Sequence, residues 1–203
     1  MELDELNKRG LTPQLLRIHE DGEKNFVPVM KFDAVSLLRQ TVRLARPKKI
    51  LEIGTATGFS GIAMLSACPD AVLYTIEHNE SRVETARKNF AEAGLSNRVH
   101  FFVGDVHEII NFITGEFDFL FFDGPKSHYL EFLEKLRPYL TDNVVLFCDN
   151  VLFRGSVNGE NDYVRRNRTI VNNMRNFLDT LTGGEWDTAV YDVGDGVSIS
   201  ILK

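Results

Sequence analysis

Two acidic segments and one glycine-bearing segment hold the residue types that can do chemistry in this 203-residue chain. Asp123 closes the apolar run Phe121-Phe122, and the pair Asp149-Asn150 closes Phe147-Cys148. If those two runs are neighbouring strands, about 4.8 Å apart, their terminal side chains converge on one point. Two carboxylates and an amide oxygen suit a hard octahedral cation such as Mg2+, which keeps positions for water and substrate. The plainer alternative is that all three residues only cap helices and turns. Lys126 follows Asp123 by three positions. Beside a divalent cation a lysine gives up its proton more readily, so Lys126 reads as a general base or as a group that orients a substrate oxygen. The competing reading is an ordinary surface lysine. His128 and Tyr129 lie close by in sequence and are assigned no chemistry.

The glycine-bearing segment is Ile50-Leu51-Glu52-Ile53-Gly54-Thr55-Ala56-Thr57-Gly58. It reads as a strand, a tight loop that lets a ligand approach the backbone, and the start of a helix. The dinucleotide fingerprint G-x-G-x-x-G is broken, because Ala56 and Phe59 stand at its second and third glycine positions. An uncharged or zwitterionic group therefore suits the loop better than a pyrophosphate. Glu77, at the end of the next apolar run, is about 20 residues further on, where an acid accepts hydrogen bonds from ribose hydroxyls. Asp105, after Val103-Gly104, is a candidate acceptor for an adenine amino group. Helix-terminal roles compete at both positions: a dipole-favoured acid for Glu77 and an N-cap for Asp105. Together the three segments describe a nucleotide-type cofactor held beside a metal, the layout of a metal-assisted transfer enzyme.

Elements that must position these residues follow from the apolar pattern. Residues 1–46 read as helical, with Pro13 near one helix start. After Pro47 come candidate strands Lys49–Ile53, Ala71–Ile76, Val99–Val103, Phe117–Phe122 and Val144–Cys148. They alternate with helices near Gly58–Ala67, Ser81–Ala93, Val106–Ile113 and Ser127–Tyr139. Near-continuous apolar strands alternating with helices predict a parallel sheet covered on both faces. A helix at about Val164–Leu181 follows, and then Trp186–Asp192 and Val197–Leu202 face each other across Gly194-Asp195-Gly196 as a hairpin. The expectation is one α/β domain over 1–203: a helical cover at 1–46 and a doubly wound, Rossmann-like, seven-stranded core at 47–203, mostly parallel with a C-terminal antiparallel hairpin.

Composition sets bounds. The chain is 43% hydrophobic and 26% charged, ordinary for a soluble globular protein. No apolar run approaches the ~20 residues of a membrane span, and the acidic Met1-Glu2-Leu3-Asp4-Glu5 start is unlike a signal peptide, so the cytoplasm is the expected location. Net charge of −6 argues against non-specific coating of nucleic acid. A local basic patch remains available: Arg165, Arg166 and Arg168, with Arg154 upstream, are candidates for holding RNA phosphates, against the alternative of a solvated helix face. Cys68 and Cys148 lack metal-type spacing and read as small buried hydrophobes.

On these motifs the chain resembles the metal-dependent O-methyltransferases related to catechol and caffeoyl-CoA O-methyltransferases. The resemblance rests on residues 51–60, Thr75-Ile76-Glu77, Gly104-Asp105, Asp123 with Lys126, Asp149-Asn150, and Val193-Gly194-Asp195-Gly196-Val197. It runs from about Pro28 to the C-terminus. Within the family the chain is most similar to the bacterial branch that methylates 5-hydroxyuridine at the tRNA wobble position, through residues 149–157 and Val27-Pro28-Val29-Met30. Gly124-Pro125 departs from the small, helix-compatible residues usual between the metal Asp and Lys, and it constrains that loop.

The resemblance implies S-adenosylmethionine, a Mg2+-type ion and a homodimer. It implies a cofactor site formed by Glu52, Gly54, Thr55, Ala56, Gly58 and Ser60 of the loop, with Glu77, Gly104, Asp105 and Asp123 from the following strand ends. It implies Asp123, Asp149 and Asn150 as metal ligands and Asp123 with Lys126 as the catalytic pair. The expected substrate is the tRNA anticodon region; the alternative is a catechol or other small vicinal-hydroxyl phenol. Short N-terminal helices, without a long acyl-CoA-binding extension, disfavour caffeoyl-CoA. Two rivals from other classes are a nicotinamide-dependent oxidoreductase, opposed by the broken fingerprint, and a non-catalytic S-adenosylmethionine-binding module.

Overall fold

A computed structural model describes residues 2–161 and 165–203. Seven strands form one sheet in the order β3-β2-β1-β4-β5-β7-β6. They are β1 Lys49–Ile53, β2 Val72–Glu77, β3 Val99–Val103, β4 Phe117–Phe122, β5 Leu140–Asp149, β6 Trp186–Tyr191 and β7 Val197–Leu202. Strands β1 to β5 pair in parallel, whereas β7 runs antiparallel to both β5 and β6. The doubly wound, mostly parallel sheet ending in an antiparallel hairpin is the architecture the apolar pattern predicts.

The alternating side chains of each strand feed two cores. Ile50, Phe119, Phe121, Val145 and Phe147 pack beneath α2 (Pro13–Lys24), α3 (Phe32–Ala45), α4 (Phe59–Ala67) and α5 (Glu80–Glu92). Leu51, Ile53, Leu120, Phe122, Leu146 and Cys148 pack on the opposite face, against α7 (Tyr129–Leu136) and α8 (Arg168–Gly183). Short α6 (Val106–Ile109) flanks this second face, and α1 (Leu3–Lys8) buries no residue. The phenylalanines of β4 are each at most 1% exposed, and burying each contributes on the order of 2 kcal/mol. Cys68 and Cys148 are free and buried, as their apolar neighbours suggest.

Strand order reverses between β1 and β4, so a crevice opens beyond their carboxyl ends. Thr12 N-caps α2, its side chain accepting from the Leu15 N–H at 3.2 Å, and Pro13 follows as the first helical residue. At the C-terminal end of α4, the Arg98 guanidinium donates to the carbonyls of Leu65, Cys68, Pro69 and Ala71, tying the last helical turn to the chain that leads into β2.

Several boundaries differ from the pattern. Strand β5 begins at Leu140 rather than Val144, and its register jumps from Phe117↔Leu140 to Phe119↔Val145. A bulge therefore carries the polar Thr141-Asp142-Asn143, with Asn143 at φ 61°. The helix expected over 106–113 shortens to α6 and a 3-10 turn at Ile110–Phe112. That expected over 127–139 becomes α7 between 3-10 turns at Lys126–His128 and Arg137–Tyr139, the second containing Pro138. The last helix starts at Arg168, after a 3-10 turn at Arg165–Asn167, while Val164 lies outside the described residues. No described helix is long and apolar enough to cross a membrane.

Candidate active site

A cavity of about 450 Å³ opens at the switch point, lined by the ends of four neighbouring strands: Gly54 after β1, Glu77 at the end of β2, Asp105 after β3 and Asp123 after β4. Gly54 holds φ 101°, and a Cβ there would lie 2.6 Å from the carbonyl oxygen of Asp123. Its N–H donates to Ile76 at 3.0 Å, so the loop is stitched to both neighbouring strands. Gly58, at φ 86°, is the N-cap of α4.

Beneath this loop, Glu52 is fully buried. Ser60 donates to one carboxylate oxygen at 2.5 Å and Thr75 to the other at 2.6 Å, while the Thr55 and Thr75 hydroxyls share a 2.5 Å hydrogen bond. Glu52, Thr55 and Ser60 thus stand behind the loop and hold its shape, outside the cavity lining. Burial pushes the Glu52 carboxyl up from its ordinary 4.5 to about 7, against the two hydroxyl donors.

Glu77, 5% exposed, accepts from the N–H of Ala56 and that of Asn79, both at 3.0 Å. The first bond fixes the second strand's acid against the glycine loop. Gly104 donates its N–H to the Glu77 carbonyl at 3.0 Å, and Asp105 caps α6 by accepting from His107 N–H at 2.8 Å. Asp105 therefore serves as the N-cap and also faces the cavity.

The Asp123 side chain is 27% exposed and lies 3.6 Å from Lys126 Nζ. Despite the constrained Gly124-Pro125 link, the chain turns tightly enough to return this lysine to the aspartate. Asp149 is 1% exposed, and the N–H of Asn150, at φ 58°, donates to its Oδ1 at 2.9 Å. Parallel pairing sets Phe122 beside Cys148, which puts Asp123 and Asp149 one residue beyond a shared rung. Burial pushes the Asp149 carboxyl well up, and the Asp123 charge adds to it. Asp123 is likewise raised by burial, with Lys126 opposing. Two carboxylates that disfavour each other's charge, with an amide oxygen next in sequence, fit a divalent cation by donor chemistry.

One consequence is a pH-dependent stability. Glu52 and Asp149 keep protons in the folded chain that the unfolded chain has already released, so unfolding free energy falls as pH rises. The fall begins near the ordinary carboxyl pKa of 4.5 and runs through about 7 for Glu52, with Asp149 acting in the same direction. Thermal melts without divalent cation are expected to show decreasing stability between pH 5 and roughly pH 7. Added Mg2+ should reduce that slope, and Asp149→Asn should reduce it without metal. A melting temperature that rises over this window would contradict the assignment.

Residues the motifs did not single out complete the site. Tyr129 is 1% exposed, and its hydroxyl meets no hydrogen-bond partner among the described residues. Burial first, then the charges of Asp123, Cys148 and Asp149, hold its pKa well above the ordinary value. Asp33 and Lys31 reach in from the N-terminal cover: Asp33 accepts from Gly194 N–H at 3.0 Å, and Lys31 Nζ donates to the Gly194 carbonyl at 2.9 Å. Nothing local could have revealed contacts across 161 positions. The same loop carries Gly196 at φ 85°, where a Cβ would lie 2.2 Å from Leu152 Cγ, locking the turn after Asn150 against the hairpin.

That turn carries Arg154, exposed at φ 56°, its backbone N–H donating to the Asp195 carboxylate at 2.5 Å. Arg165, Arg166 and Arg168 are exposed at the start of α8, and none of the four forms an ion pair with a described residue. Helix α8 packs on the Lys126–His128 turn, with Asn173 donating to the Ser127 carbonyl at 2.8 Å. Arg168 thus opens the helix that packs on the Lys126 turn, and Arg165 and Arg166 lie in the 3-10 turn just before it.

Known proteins resemble this chain in sequence and in fold. A probable O-methyltransferase of Mycobacterium tuberculosis is 31% identical over 169 residues, covering 78% of this chain and 71% of that one. A catechol O-methyltransferase of Niastella koreensis is 32% identical over 129 residues, 61% of this chain and 58% of its own length. Among solved structures, the O-methyltransferase of tomaymycin synthesis from Streptomyces achromogenes, in complex with S-adenosylmethionine, superposes with a TM-score of 0.85 at 26% identity, covering 99% of this chain and 96% of the other. The O-methyltransferase family model matches residues 11–202, the whole sheet with α2 to α8, and the chain therefore belongs to the O-methyltransferase family.

Proposed function

We propose that this O-methyltransferase uses S-adenosylmethionine and a Mg2+-type cation to methylate 5-hydroxyuridine at the tRNA wobble position, giving 5-methoxyuridine. The observation that carries the reading is the cavity whose wall joins Gly54, Glu77 and Asp105 to Asp123, next to the buried Asp149. A cavity of that size accommodates a nucleoside, and the S-adenosylmethionine-bound relative supports the cofactor's identity. In this reading Glu77 accepts from the ribose hydroxyls and Asp105 from the adenine amino group. The Gly54–Gly58 loop approaches the amino-acid end, held from below by Glu52, Thr55 and Ser60. Asp123, Asp149 and Asn150 hold the cation. When bound, cofactor and cation supply an electrophilic methyl group and a lowered pKa for the substrate hydroxyl. Lys126 takes that hydroxyl's proton or steadies the resulting charge.

The tRNA preference is supported by the exposed arginines at and just before the start of α8, the helix that packs on the Lys126 turn, which suit phosphates flanking a flipped base. A small catechol is the second reading, favoured by the catechol O-methyltransferase relative. Replacing Arg165, Arg166 and Arg168 together with alanine is expected to lower methyl transfer to 5-hydroxyuridine-containing tRNA about tenfold or more and to leave catechol transfer within about twofold. Rates on both substrates, with methoxyuridine identified after digestion, check this. Equal loss on both would sink the RNA assignment and point to damage in α8. The homodimer belongs to the same proposal; exposed Leu44, Val190, Tyr191 and Ile201 offer apolar surface for it, and sedimentation of the purified chain tests it.

A further inference from the structure

Away from the acidic pair, α6, the Lys126–His128 turn and α7 bring His107, His128 and Glu131 together. One donor atom from each lies within 4.8 Å of the other two. His107 Nδ1 stands 3.1 Å from Glu131 Oε1, and His128 Nδ1 stands 3.2 Å from Oε2 of the same carboxylate. Donors about 2.1 Å from a tetrahedral Zn2+ are themselves about 3.4 Å apart, so both separations approach those of ligands around one ion. The three side chains are about 40% exposed, which leaves room for the small rotations that would centre a cation. Each imidazole would exchange its contact to the carboxylate for a bond to the ion through Nδ1, releasing a proton where Nδ1 carried one. Lys135, at 2.9 Å from Glu131 Oε1, keeps the carboxylate ionised and leaves its other lone pairs available.

We propose that His107, His128 and Glu131 form a binding site for a borderline divalent cation of the Zn2+ class, distinct from the oxygen site of Asp123, Asp149 and Asn150. Two imidazoles and one carboxylate favour Zn2+ over Mg2+ far more strongly than the all-oxygen set does, so excess Mg2+ competes at the oxygen site and not at the histidines. Both histidines line the cavity wall with Asp105 and Val106, so the ion ties α6 to the start of α7 at that wall. The site does not depend on the methyl-transfer reading, and its test reads metal binding rather than turnover.

The test is a titration of the full chain with Co2+ in excess Mg2+, followed by visible absorption, and then displacement by Zn2+ against a chromophoric chelator. The expected result is about one equivalent of Co2+ with the intense bands of a four-coordinate ion. Those bands should disappear in His107→Ala and in His128→Ala, with at least about tenfold weaker Zn2+ binding, and persist in Asp149→Ala. Metal-free melting curves of the two histidine variants establish that each is folded, and either one suffices. Bands that vanish in Asp149→Ala and survive both histidine substitutions would overturn the proposal by moving the ion to the acidic pair. Zn2+ affinity unchanged in both histidine variants, or no Zn2+ binding by the parent chain, would overturn it as well.

Discussion

Asp149→Ala is expected to lower methyl transfer by about a thousandfold or more while cofactor affinity stays within about threefold. The carboxylate is 1% exposed at the end of β5, level with Asp123 one residue beyond the Phe122–Cys148 rung, and outside the residues lining the nucleoside-sized cavity. Its removal takes one of two charged donors from the proposed cation site and leaves Gly54, Glu77 and Asp105 in place. Turnover should therefore collapse without loss of cofactor. Calorimetric titration with S-adenosylmethionine and single-turnover transfer separate the two effects. The same substitution relieves the charge crowding at Asp123, so the metal-free variant should melt no lower than the parent at pH 8. Retained turnover would refute the cation assignment, and a parallel loss of cofactor binding would mean that Asp149 supports the cavity instead.

Gly54→Ala should act on fold and cofactor together. At φ 101° an alanine is strained, and its Cβ would lie 2.6 Å from the Asp123 carbonyl oxygen and 3.0 Å from the carbonyl carbon. Neither backbone can yield easily, because Ile53 pairs with Phe122 and the Asp123 N–H donates to the Ile53 carbonyl at 3.0 Å. The expected cost is about 3 kcal/mol of stability, the range for a steric conflict at a positive φ in a packed site. The protein that remains folded should bind cofactor at least about tenfold more weakly, since the loop must retreat from the cavity. Thermal denaturation and cofactor titration measure the two effects. An unchanged melting temperature would show that the β1–β4 junction is looser than its hydrogen bonding indicates.

The sheet was legible because its strands are nearly continuous apolar runs. Lys49–Ile53, Phe117–Phe122 and Val197–Leu202 have the predicted boundaries. Glu77, Asp105, Asp123 and Asp149-Asn150 were legible as candidates because a parallel sheet carries its polar chemistry at carboxyl ends, one per strand. What escaped was non-local or broke the pattern. Thr141-Asp142-Asn143 reads as a loop and sits in a bulge. Arg98 belongs to no motif, yet its guanidinium bonds the end of α4 from 30 or more residues away. Glu52 sits in the glycine-loop motif, where proximity to the cofactor is the natural inference. Its burial under Ser60 and Thr75 emerges only when β1, β2 and α4 are packed. The His107–Glu131 contact spans 24 positions and two short elements, so no spacing rule announces it.

The most direct measurement is transfer of a labelled methyl group from S-adenosylmethionine, with Mg2+ and with chelator, to 5-hydroxyuridine-containing tRNA and to a simple catechol in parallel. Mg2+-dependent labelling of the tRNA, recovered as methoxyuridine after digestion and lost in Asp149→Ala, is the predicted result. Labelling that is equally fast in chelator would contradict the cation's role, and labelling of catechol alone would contradict the RNA substrate.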